Sequence, residues 1–220
     1  MVWRLNFLLN AMSGSKVVSD EVVERVLRLS DFDASYILLM ATAGILSAVA
    51  LLTNSIPVLI GSMVIAPAFA PLALVSFAVV NRQFELVWEG LITALLGLAI
   101  SMSAALATTW VLTTVHVLPS EAELLNKTLL QERVSPGWYS VVTAIAAGIA
   151  GTIALTERKT DTLVGVVAAL ALVPAGVAGA IAFLSEDPVR GWGGIALLGI
   201  NVVLIVVSGI LTLIGFKPTE

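Results

Sequence analysis

The chain has 220 residues, 59% of them hydrophobic and 12% charged, with a formal net charge of −4 and no cysteine. A soluble domain carries roughly 25% charged residues, and a soluble core of this length could not hide so much apolar material. No basic tract suits a phosphate backbone, so nucleic acid is not an expected partner. The missing thiol removes disulfides, thiolate metal sites and cysteine nucleophiles together.

The opening MVWRLNFLLNAM is a short apolar stretch interrupted by Asn6 and Asn10, with only Arg4 as a basic start. It is expected to remain uncleaved, the first span serving as the insertion signal. Val17 to Leu29 follows as an amphipathic helix with Val18, Val22, Val26 and Leu29 on one face. Glu21 with Arg25, and Glu24 with Arg28, form i,i+4 pairs. Such a helix suits the membrane interface or a neighbouring subunit.

Six segments then approach or exceed the roughly 20 apolar residues a span requires. They run Ser35–Leu52, Ser55–Val80, Leu86–Val115, Trp138–Leu155, Leu163–Leu184 and Trp192–Phe216. The first and second are divided only by Thr53-Asn54, the second and third by Asn81-Arg82-Gln83. Pro119 to Pro136 separates the third and fourth, Glu157 to Asp161 the fourth and fifth, and Ser185 to Pro188 the fifth and sixth. Arg4, Lys16, Arg25, Arg28, Arg82, Arg158, Lys159 and Lys217 fall on one side, and only Lys127, Arg133 and Arg190 on the other. That imbalance places both termini in the cytoplasm of a multi-pass cell (plasma or inner) membrane protein, and Trp88, Trp110, Trp138 and Trp192 mark span ends.

A shift of 107 positions brings the halves into register. Asn54-Ser55 meets Asp161-Thr162, Pro67 meets Pro174, Gly44 meets Gly151, and VVSDEVVE (17–24) meets LLNKTLLQ (124–131). The third spans show no such matches. An odd number of spans per half makes this an inverted-topology repeat, an internal symmetry shared by many secondary transporters. The expected fold is therefore all-α and polytopic: six transmembrane helices as two inverted repeats of three, each preceded by an amphipathic helix. Residues 1–34 form the N-terminal arm with the first amphipathic helix, and 35–115 the first repeat. Residues 116–137 form an extracytoplasmic loop with the second amphipathic segment, 138–216 the second repeat and 217–220 a tail.

Candidate chemistry gathers at the second and fifth spans. Pro67 and Pro71 remove amide donors and clash with the preceding turn, so a broken second span is expected around Gly61, Ser62, Pro67 and Pro71. Pro174 with Gly176 predicts the same in the fifth span. Matched interruptions of this kind either line a transport site or serve as kinks and packing points. Asn54, Ser55, Asp161 and Thr162 read as N-caps of the following helices and also as a polar mouth. Asn201 is the most polar side chain near the middle of a span, suited to coordination or to a bond between helices. His116, beside the outer loop, is an interfacial residue or a ligand. The central part of each span carries no charge, which argues against proton pumps and voltage sensors; Glu85 and Glu89 stand only at the start of the third. No metalloprotease, nucleophile-elbow or phosphate-loop motif occurs, so an enzyme, a metal site or a cofactor is not expected. Small residues four apart, such as Gly44 with Ala48, Ala144 with Gly148, Ala147 with Gly151 and Ala175 with Gly179, predict close helix packing and an oligomer.

The stretch NSIPVLIGSMVIAPAFAP (54–71) resembles the signature of the uncharacterised hydrophobic family catalogued as domain of unknown function 389. RVSPGWYSVVTAIAAGIAG (133–151) and LVGVVAALALVPAGVAG (163–179) resemble its later motifs, and the likeness covers about Asp31 to Leu184. Two places depart from the family pattern: Ala175 stands where a second proline or bulkier residue is common, and Tyr139 or Ser140 where an acid is common. The resemblance implies a multi-span prokaryotic membrane protein and carries no substrate. The residues themselves point to a transporter or channel for a small solute or ion, with its site at broken spans two and five. The alternative is a non-transporting membrane subunit that anchors a partner through the N-terminal helix and the outer loop.

Overall fold

In the computed structural model the described residues are 18–115, 127–135, 137–157, 164–185 and 188–215, with backbone only for 164–171. Among them all regular structure is helical: α1 (Asp20–Leu29), α2 (Ala34–Thr53), α3 (Ile56–Ile65), α4 (Phe69–Val80), α5 (Phe84–Thr114), α6 (Thr128–Val134), α7 (Trp138–Thr156), α8 (Val164–Phe183) and α9 (Val189–Gly215). The helix limits fall within a few residues of the six expected segments. By length and composition, α2, α5, α7 and α9 can each cross a membrane, and the bent pair α3–α4 makes a fifth candidate. The fully described part of α8, Leu172–Phe183, is apolar but shorter.

Local chemistry explains the helix ends. Asp33 caps α2 by accepting from the Tyr36 amide at 2.7 Å. Asn54 closes α2 in the left-handed conformation at φ 56°, a shape asparagine tolerates better than most residues. The expectation that Asn54 caps α3 is corrected: Asn54 ends the preceding helix, while Ser55 holds the N-cap position of α3 without a side-chain capping bond. Asp161, Thr162 and His116 lie outside the described residues.

The amphipathic helix forms, but its buried face is Val22, Val23, Val26 and Leu27, while Leu29 is exposed. That face packs on α4 of the same chain. The start of the segment is fixed by Asn81, whose Oδ1 accepts from the Val18 amide and whose Nδ2 donates to the Val18 carbonyl, both at 3.3 Å. Glu24 and Arg28 pair at 2.6 Å.

The same pairings recur in the two halves. Helix α2 packs on α5, and α7 on α9; α4 packs on α5, and α8 on α9; α1 packs on α4, and α6 on α8. Between halves, α5 meets α8 and α9 meets α4. Small residues make these contacts close. A β-carbon at Gly44 would strike the Ser101 carbonyl, and one at Gly148 would strike Ser208 and the Ile205 carbonyl. Gly194 lies against Gly179 and the Ala175 carbonyl. Ala48, Ala144, Ala147 and Gly151 are buried as their spacing predicts.

Helix α8 is the centre of the bundle. It touches α2, α3, α4, α5, α6, α7 and α9, and every side chain from Leu172 to Ala182 is buried. On the outer helices, by contrast, Trp88, Trp110, Trp138 and Trp192 are all exposed.

Candidate functional site

The second segment is broken where proline predicts it. Ala66 leaves the helix with ψ 116°, the extended backbone favoured by a residue before proline, and α4 departs from α3 at 48°. Pro67 sits in the gap. Pro71 does not contribute to the break. It lies in the first turn of α4, where amide groups have no intrahelical acceptor and a missing donor costs little.

The fifth segment corrects the expectation of a matching break. Helix α8 runs continuously through Pro174. Neighbouring helices surround it on all sides, and such packing keeps a proline-containing span helical. Gly176 there allows contact with Met102 of α5 and Leu198 of α9. The surroundings of Pro67 are closely packed too, for Ala66, Ala68 and Phe69 are buried. Above the break, the buried Ser47 and Ser62 hydroxyls bond at 2.9 Å, and Ser62 also donates to the Leu59 carbonyl at 2.7 Å. Gly61 beside them faces open space.

Polar space lies elsewhere. A cavity of about 600 Å³ is lined by Glu132, Arg133, Ser135, Gly137, Tyr139, Ser140, Thr143 and Asn201. It sits where α6, the first turns of α7 and the middle of α9 converge. Asn201, 2% exposed, forms its inner wall. Arg133 is partly buried on the inward side of α6, beside Leu129, Leu130 and Val134. Burial draws the Arg133 guanidinium below its ordinary pKa, and neighbouring Glu132 acts in the opposite direction. A guanidinium still remains charged at neutral pH.

A second cavity of about 500 Å³ is lined by Arg28, Asp31, Phe32, Asp33, Glu89, Ile92, Thr93 and Leu96. Its place in the first half matches that of the larger cavity in the second. Arg28, Phe32 and Asp33 stand 107 positions before Ser135, Tyr139 and Ser140, and each set of three lines its own cavity. On the third helix of each half, the position equivalent to Asn201 is Ala94, next to Thr93. Among the described residues no cluster of metal-ligating side chains occurs.

Residues 63–207 match the family model described as Domain of unknown function (DUF389). The chain belongs to this family. The match to DUF389 takes in the Pro67 break, Pro174 and the whole larger cavity, and leaves α1 and α2 outside. A relative in Methanocaldococcus jannaschii, described as an uncharacterized protein, is 23% identical over 163 residues. The alignment covers 72% of this DUF389 chain and 47% of the relative, so the chain spans about half that protein's length. No solved structure matches it.

Of the residues expected to form one site, the structure brings Gly61, Ser62 and Pro67 to the broken segment, Pro174 and Gly176 to the buried α8, and Asn201 to the larger cavity. Asn54 serves a different purpose, accepting from the Leu129 amide at 3.0 Å. The sequence reading missed Arg133, Ser140 and Thr143. Extending the repeat register two residues beyond LLNKTLLQ sets Arg133 against Val26, a fully buried position in α1. A charge in the place of a core valine is the signal that finds it.

Proposed function

We propose that this DUF389 protein carries a small solute or ion across the cell membrane, using two three-span halves inserted in opposite orientations. The observation that carries the reading is the pair of polar cavities at equivalent places in the two halves. Counting α3–α4 as one span and α8 as another gives six, and three spans per half invert the second half. Lys and Arg then concentrate on the side of the N-terminal arm, so that side is cytoplasmic. The Asp33 cavity faces the cytoplasm under this arrangement and the Asn201 cavity faces outward.

Further support comes from burial in register. Val22, Val23 and Leu27 are buried in α1, and their equivalents Leu129, Leu130 and Val134 are buried in α6. Gly90, Ala94, Leu98 and Ser101 of α5 match Leu197, Asn201, Ile205 and Ser208 of α9, all buried. These third helices share the register although their residue types differ.

The chain lacks cysteine, so single cysteines report sidedness cleanly. Cysteine at Asn54 should react with an impermeant maleimide only from outside, and cysteine at Asp161 only from inside. Labelling of both from one side sinks the inverted arrangement. Solute uptake into proteoliposomes then tests transport itself. The second reading, a non-transporting membrane subunit, draws on the packed interior: α8 is enclosed from Leu172 to Ala182, and Ala66, Ala68 and Phe69 at the Pro67 break are buried. Absence of flux for every ion and metabolite tried, with both cavities closed towards α8, favours that reading.

A further inference from the structure

We propose that the cavity between α6, α7 and α9 binds a small oxyanion, a carboxylate or phosphate group, held by Arg133 with Asn201 and the Ser140 hydroxyl; the Thr143 hydroxyl on its wall already donates to the Tyr139 carbonyl at 2.8 Å. Four observations on the cavity converge. Its volume of about 600 Å³ suits a ligand of metabolite size rather than a single water. Its cation is placed inward: Arg133 shares a face with Leu129, Leu130 and Val134 instead of projecting with the exposed Gln131 and Glu132. A guanidinium presents five N–H donors in a planar fork that matches carboxylate and phosphate oxygens, and so can serve a ligand alongside its contacts within the chain. Asn201, fully enclosed yet facing the cavity, lies nine residues along α9 from Trp192, about 14 Å at helical rise. The cavity therefore reaches from the level of Trp138, two residues before Ser140, down to Asn201, and offers an amide and the Ser140 hydroxyl to complete the ligand's hydrogen bonds.

The first half supplies an internal comparison. The equivalent cavity replaces Ser140 by Asp33 and adds Asp31 and Glu89 around Arg28, so its walls are predominantly acidic. Carboxylates in those positions repel an oxyanion. The two cavities share one architecture and differ in charge balance, one cation with one carboxylate in the outer cavity against one cation with three carboxylates in the other, and the outer one is the better suited to an anion. Glu132 also lines the outer cavity, but it is an exposed residue and lies on the solvent side of α6.

The proposal deepens the transport reading but concerns binding, which is measured without flux. The whole chain in an uncharged detergent is titrated calorimetrically with succinate, inorganic phosphate and, as a cation probe, tetramethylammonium. Saturable binding of succinate or phosphate is expected, weakened about tenfold or more by Arg133→Gln and by Asn201→Ala, with part of the loss restored in Arg133→Lys. Ser140→Asp copies the acid of the other cavity at the first turn of α7, where a carboxylate suits the helix dipole, so this variant keeps its fold. It should abolish anion binding with an unchanged melting temperature, whereas Asp33→Ser should leave it intact. Native mass spectrometry separates the sources: a phospholipid retained by the wild type and lost in Ser140→Asp assigns the site to a lipid headgroup, and binding of the free anions to lipid-stripped protein assigns it to a soluble one. Either supports the oxyanion. No saturable binding of either anion together with no retained anionic lipid, or binding untouched by Ser140→Asp and Arg133→Gln, overturns it. Binding without uptake into proteoliposomes supports this site and counts against transport.

Discussion

The Asn54 side chain accepts a hydrogen bond from the backbone amide of Leu129 at 3.0 Å, joining the end of α2 to the start of α6 across 75 positions of sequence. The same residue holds its own backbone in the left-handed region, and the next amide, that of Ser55, returns to the Ala50 carbonyl at 2.8 Å. One asparagine thus closes a helix and ties the first half to the amphipathic helix of the second.

Substitutions at Asn54 should separate those two contributions. Glycine keeps the left-handed backbone and loses the acceptor, for about 1 kcal/mol. Alanine loses both, for about 2 kcal/mol or more. Thermal unfolding of the two variants in one detergent checks the order; equal losses would mean the bond to Leu129 contributes alone.

Glycines on the helix faces should respond according to what surrounds them. Gly44→Ala and Gly148→Ala drive a methyl group into the backbone of α5 and α9 respectively and should lower stability by about 1–3 kcal/mol. Gly61 and Gly199 have nothing within 4 Å of an added β-carbon, so alanine there should be neutral or stabilise by up to about 1 kcal/mol. Melting temperatures of the four proteins decide it.

The prolines should sort by position. Pro71→Ala is expected to shift stability by less than about 0.5 kcal/mol, because the first turn of α4 does not need that amide. Pro67→Ala frees Ala66 from its extended backbone and permits α3 to lengthen. Amide hydrogen exchange should show added protection at residues 66–68 in Pro67→Ala and none in Pro71→Ala.

Ser47 and Ser62 offer a measurable interhelical bond. Hydrogen bonds between membrane helices average about 0.6 kcal/mol in double-mutant cycles. Ser47→Ala, Ser62→Ala and the double variant should give a coupling energy of about that size, with Ser62→Ala the costlier single change because it also ends the bond to Leu59. A coupling indistinguishable from zero would place the pair among packing contacts.

Much of this architecture could be read from residue pattern because lipid imposes simple demands. Apolar runs gave the helix limits, Pro67 gave the break, and Gly44, Ala144, Gly148 and Gly179 gave the contact faces. Three features could not be read so, each for a reason lying in tertiary context. Pro174 has the same chemistry as Pro67, yet α8 stays helical because seven neighbouring helices hold it, and a sequence does not display neighbours. The proposed repeat sets unlike residues of the third helices together, Gly90 with Leu197 and Ala94 with Asn201, which are alike only in being buried. The cavity at Arg133 is built from three separated segments, and a charge outside the spans carries topology and site chemistry alike, so its pattern alone does not single it out.

The enclosure of α8 has a consequence for how the protein is made. From Leu172 to Ala182 this segment presents no surface to lipid, so its oiliness serves passage out of the translocation channel, after which protein replaces lipid on every side. Six of the helices it rests on, α2 to α7, precede it in the chain, and only α9 follows. The ribosome therefore delivers the keystone after most of the arch stands, and α9 arrives last to hold it in place.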